Sequence, residues 1–131
     1  PYRLQYTLRQ PAQPNVPLAT TTLLLPHPPG PAAPLARAVK VYLNEPTRTA
    51  LEFVDANTGA AHLVVLNRTG GVVSFFTPRG EVKTDAQVAY LQWSAGKLTA
   101  VALHGGKTLT LAGKNLAPQA KPAEANIVPA P

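Results

Sequence analysis

Cysteine is absent from this chain of 131 residues, which excludes disulfides, cysteine-ligated metals and thiolate nucleophiles together. No stretch approaches the ~20 consecutive apolar residues of a membrane-spanning helix. Acidic residues are scarce: six Asp and Glu stand against twelve Lys and Arg, a net charge of +6. Such an excess favours long-range association with polyanions, acidic proteins or anionic surfaces. The basic residues nevertheless stand singly between Arg3 and Lys121, whereas a nucleic-acid footprint is a clustered stripe. Serine occurs only at Ser74 and Ser94, neither within G-x-S-x-G, so serine-hydrolase chemistry lacks its usual strand-turn-helix setting. The 3.6-residue apolar period of a long helix is missing too, and at most a helical turn is expected near residues 35–38.

What the chain has instead is proline, fifteen in all. Pro11, Pro14, Pro17, Pro26, Pro28, Pro29, Pro31 and Pro34 fall in one short segment, and proline fits neither a helix interior nor a central strand. An extended proline-rich arm loses less conformational entropy when it is pinned to a surface. The segment therefore reads as either a docking arm or a long loop on its own domain. Before it, "YRLQYTLRQ" alternates strictly, with Tyr2, Leu4, Tyr6 and Leu8 on one side, the period of a half-buried strand.

Beyond Arg37 prolines become rare, and short apolar runs recur between turn signals. "AVKVYLN" (38–44), "ALEFV" (50–54), "AHLVVL" (61–66), "VVSFF" (72–76), "AQVAYLQW" (86–93), "LTAVALH" (98–104) and "TLTLAG" (108–113) read as strands. "DANTG", "NRTGG", "TPRG", "SAGK" and "HGGK" lie between them, with Asn, Gly and Pro placed as β-turns and hairpins require. The expected fold class is all-β: an antiparallel β-sandwich or barrel of about seven to nine strands. It divides into an N-terminal strand (1–10), a Pro-rich segment (11–36), the β domain (37–113) and a Pro/Ala-rich tail (114–131). Like phases of successive strands place Leu51, Phe53, Val64, Leu66, Val73, Phe75, Leu91, Trp93, Val101, Leu103, Leu109 and Leu111 in the core. Phe75 and Phe76 are neighbours and must face opposite ways. The permissive alternation of "AYLQWSAGKLTAVAL" implies that both faces of the sheet are covered, by a second sheet or another subunit.

Chemistry-bearing residues are thin. His27, His62 and His104 form no local ligand motif, so no metal or other cofactor is expected. Glu45, Glu52, Asp55, Glu81, Asp85 and Glu124 are the only carboxylates; a glycosidase would need two facing each other across a cleft, and Glu52 with Glu81 or Asp85 are the available pairs. Asn67 begins an N-x-T acceptor pattern that is also ordinary turn chemistry. "GGK" and "AGK" lack the spacing and following helix of a phosphate loop. The string "VVSFFTPRGEV" (72–82) resembles the strand and P-x-G turn near the end of pseudopilins; the long apolar helix of that family has no counterpart in these residues, so the likeness assigns no family.

The favoured expectation is a non-enzymatic structural or assembly subunit held by protein–protein contacts, such as a virion accessory or decoration protein or a cell-surface component. Its partners would be other subunits, in a homo-oligomer or larger particle, touched through Pro26, Pro28, Pro29, Pro31, Ile127 and Val128. Two other classes compete: a basic β module binding nucleic acid or an acidic glycan, and a small hydrolase using Glu52, Asp55 or Asp85.

Overall fold

The computed structural model describes residues 36–117 and 121–122. The N-terminal strand, nearly all of the proline-rich segment, His27 and most of the tail lie outside the described residues. In chain order the strands are β1 (Ala36–Asn44), β2 (Arg48–Asp55), β3 (Ala61–Asn67), β4 (Val73–Thr77), β5 (Gly80–Thr84), β6 (Val88–Ser94), β7 (Lys97–His104), β8 (Leu109–Leu111), β9 (Lys114–Asn115) and β10 (Lys121–Pro122). Two antiparallel sheets result, in the orders β1-β2-β3-β6-β7 and β4-β5-β8-β9, and β10 adds in parallel to β7. The chain is all-β, and no helix among the described residues is long and apolar enough to cross a membrane.

The turns decide which strands share a sheet. Residues 55–59 close the β2–β3 hairpin: the Asp55 carboxylate accepts the N–H groups of Asn57 and Thr58 at 2.7 and 3.1 Å, and Gly59 takes φ 71°. Ala95 and Gly96 join β6 to β7 with φ of 49° and 75°, the mirror-image turn that matches strand twist. The other two turn sequences at sheet boundaries act differently. "NRTGG" carries the chain from β3 in one sheet to β4 in the other, and "HGGK" from β7 to β8, so neither closes a hairpin. At the second crossing Gly106 lies against the backbone of Ala86, where a Cβ would collide. Buried Asn67 holds the first crossing: its amide donates to the Gly71 carbonyl at 2.7 Å and its oxygen accepts from the Thr69 hydroxyl at 2.6 Å. The N-x-T sequence is thus engaged as a turn.

β1 replaces the helical turn expected at its start. Ala38 adopts φ 51°, and the pairing of β1 with β2 slips between Arg37 and Lys40 and again between Val41 and Leu43, the mark of a bulged edge strand. β5, "GEVKT", escapes the sequence reading because Val82 is its only large apolar residue. It nonetheless pairs with β4 along its whole length, from Val73↔Thr84 to Thr77↔Gly80. The second sheet also runs on past Gly113 through β9, and Leu116 beyond it is buried.

The core lies between the sheets. Leu63, Val65, Ala89, Leu91, Trp93 and Val101 from the first meet Val73, Phe75, Val82 and Leu109 from the second. Eight of the expected core residues are in this layer or packed against it: Val73, Phe75, Leu91, Trp93, Val101, Leu103, Leu109 and Leu111. The other four, on β2 and β3, face the reverse side. Leu51 pairs with Val64 and Val64 with Tyr90 rather than Leu91, so that row points away from the second sheet. Leu51 and Phe53 are buried there, outside the inter-sheet cluster, Val64 is half-buried and Leu66 is exposed. A one-residue difference in phase moves a strand's whole set of side chains to the other face.

Candidate assembly surface

β1 and β4 end their respective sheets and lie side by side, with the rings of Tyr42 and Phe75 stacked at 5.6 Å. Among the described residues neither strand pairs on its outer side. Among the described residues, four of the five exposed large hydrophobic residues belong to these two strands or adjoin them: Val39 (54%), Val41 (55%), Val72 (65%) and Phe76 (74%). Backbone left unpaired among the described residues and exposed apolar side chains, Val41 pointing outward from the first sheet and Phe76 from the second, are the ingredients of strand addition and of hydrophobic contact. Adjacency in "FF" is the signal that one ring leaves the core. The grouping with β1 depends on sheet order, which the sequence reading missed.

Inside this flank lies a polar cluster. Glu52 turns into the inter-sheet layer, where the Arg79 guanidinium donates to its carboxylate at 2.8 Å and the Tyr42 hydroxyl donates to the same oxygen at 3.3 Å. Arg79 sits in the β4–β5 turn, and its guanidinium lies over the Trp93 ring at 4.2 Å. One arginine thus ties the tip of the second sheet to the first. Burial, with the adjacent Glu52 carboxylate, raises the pKa of Tyr42 above its ordinary value.

The remaining carboxylates are engaged separately. The Thr58 and Asn57 N–H groups hold Asp55 below the ordinary carboxylate range. The N–H groups of Thr108 and Lys107 do the same for Asp85, which caps the β7–β8 crossing. Glu81 is lowered by the Ser74 hydroxyl, which donates to it at 2.6 Å, and by Lys83 at 3.2 Å. Glu52 faces the core and Glu81, opposite Phe76, the outside of the second sheet, so this pair does not share a cleft. With Glu45 paired to Arg48 at 2.9 Å, each acid among the described residues serves a turn or an ion pair.

On the reverse face of the first sheet, His62 stacks on Phe53 at 4.9 Å and shares a 2.7 Å hydrogen bond with the Tyr90 hydroxyl, which donates to Gln92 at 3.0 Å. Burial raises the Tyr90 pKa. His104 ends β7, exposed. No group of three metal-ligating side chains gathers among the described residues. The expected contact residues Pro26, Pro28, Pro29, Pro31, Ile127 and Val128 lie outside the described residues.

These shifts set the pH dependence of stability. Asp55, Asp85 and Glu81 are more acidic when folded, so stability present above their ordinary values of 3.8 and 4.5 is lost as pH falls through the lowered ones. Tyr42 and Tyr90 are less acidic when folded, so stability present below 10.0 is lost as pH rises past it. Melting temperature against pH should form a plateau with two falling limbs, and Asp55→Asn with Asp85→Asn should flatten the acid limb. An acid limb unchanged in that double variant would remove the turn-capping role.

Comparison with known proteins adds no relative: no family model matches the chain, and neither a curated protein nor a solved structure matches it.

Proposed function

We propose that this chain is a non-enzymatic structural or assembly subunit, of the kind that decorates a virion or builds a cell-surface particle, and that it is held by contacts with other protein subunits. The observation that carries the reading is the side of the sandwich where β1 and β4, each unpaired on its outer side among the described residues, lie with exposed Val39, Val41, Val72 and Phe76. A lone domain gains nothing from leaving such edges bare, since they invite pairing with other chains. On this reading the proline-rich sequence, with Pro26, Pro28, Pro29 and Pro31, would serve the same purpose, since proline lowers the entropy lost on docking.

The carboxylate arrangement favours this reading over a hydrolase, because each acid described above is spent on a turn or an ion pair. Among the described residues the bases are spread over both sheets and their turns, from Arg37 and Lys40 on β1 to Lys97 on β7, Lys107 in the β7–β8 crossing and Lys114 on β9, which gives no single basic stripe. Light scattering is expected to give a particle several times the 13.8 kDa of one chain. A clean monomer across the micromolar range would end the proposal, and tight, salt-dependent retention on heparin by that monomer would replace it with the polyanion module.

A further inference from the structure

Resting on the assembly reading, we infer that residues 123–128 of one copy add as a strand to the edge of β4, unpaired among the described residues, in a second copy, joining subunits head to tail. β4 is the better template of the two edges. It pairs with β5 in unbroken register over five residue pairs, whereas β1 is bulged at Ala38 and slips twice against β2, and a bulge spoils an edge for further pairing. In an antiparallel pair alternate residues turn their N–H and C=O groups away from the partner, so β4 offers backbone donors and acceptors to a newcomer.

The occupant follows from where the chain leaves the sandwich. β10 (Lys121–Pro122) lies on β7, at the opposite side of the first sheet from β1 and its neighbour β4. Three strands separate β1 from β7, which puts the two edges about 19 Å apart at ~4.8 Å per strand. Residue 123 follows Pro122 directly and reaches only ~3.5 Å further, so a chain cannot lay residues 123–128 on its own β4. A second copy can receive them.

The sequence of the segment suits the edge. "AEANIV" is free of proline and bounded by Pro122 and Pro129, so it keeps every backbone donor over the length of one short strand matching β4. Its adjacent Ile127 and Val128 point to opposite faces of such a strand, giving an apolar side chain to the Phe76 side and another to the inner side of Val73 and Phe75. Glu124 carries a negative charge, and the neighbouring edge strand β1 carries Arg37 and Lys40. Because tail and β4 are different surfaces, the contact is heterologous and repeats from copy to copy.

The absence of cysteine makes the test direct. Exposed Ser74 on β4 is replaced, Ser74→Cys in the full chain, labelled with a short photo-cross-linker, and irradiated in a mixture of unlabelled and heavy-isotope protein. The expected result is a ladder of covalent multimers whose adducts map to residues 123–128 of a different molecule. The ladder should fall more than ~tenfold when Ile127→Asp and Val128→Asp are combined, since each buried aliphatic side chain is lost to the contact. Adducts to β4 or β1 of the second copy would instead establish symmetric edge pairing and overturn the inference. Adducts within one molecule would overturn it as well. Particles that stay large by light scattering without any adduct at 123–128 would overturn this contact alone, leaving the assembly reading in place.

Discussion

Trp93→Ala is expected to lower the unfolding free energy by about 3 to 5 kcal/mol, the range for deleting a large buried aromatic side chain. Trp93 is buried in the inter-sheet layer on β6, opposite Ala61 on β3 and Leu98 on β7. A truncated side chain there leaves a cavity in the packed layer. The ring also carries the Arg79 guanidinium at 4.2 Å, and that guanidinium neutralises the buried Glu52 carboxylate at 2.8 Å. Stacking of a cation on an indole adds about 0.5 to 2 kcal/mol according to its exposure, and with Arg79 32% exposed the middle of that span applies. Losing the ring therefore also loosens the partner of a buried charge. Urea unfolding followed by circular dichroism would measure the effect, with Trp93→Phe as a milder control. A loss under about 1 kcal/mol would show that the ring is not part of the packed layer.

Leu63→Ala should cost about 2 to 5 kcal/mol, while Leu66→Ala, three residues on in the same strand, should cost under about 1 kcal/mol. Leu63 is 0% exposed between Glu52 on β2 and Leu91 on β6, whereas Leu66 is 38% exposed on the reverse face. The pair tests the face assignment of β3 independently of total hydrophobicity, because both variants remove the same atoms. Equal losses, or a larger loss at Leu66, would mean that β3 is turned over relative to the second sheet.

That strand also marks where sequence reasoning stops. In "AHLVVL" both faces are apolar, Ala61, Leu63 and Val65 on one and Val64 and Leu66 on the other, so alternation names a strand without naming its inner side. In "ALEFV" the larger residues Leu51 and Phe53 argue for the wrong face. The inner face there holds Ala50, Glu52 and Val54, and the carboxylate is tolerated because Arg79, distant in sequence, reaches it. A buried charge whose partner lies 27 residues away leaves no local signal. β5 and β9 were likewise invisible, since strands with a single large apolar residue or none are held by their pairing with β4 and β8 rather than by their own burial.

The amino-acid sequence by itself determined the all-β class, most strand positions and the residues of the turns, because period-two alternation and the φ demands of Gly, Asn and Pro are local properties. Only the tertiary structure decided which turns cross between sheets, which face of β2 and β3 is inside, and that β1 and β4 lie together as the end strands of their sheets among the described residues. These depend on contacts between segments remote in the chain: the packing of Leu63 and Leu91 against Phe75 and Val82, and the ion pair from Arg79 to Glu52. The candidate assembly surface belongs to the second group, since an edge exists only once the order of strands in a sheet is settled.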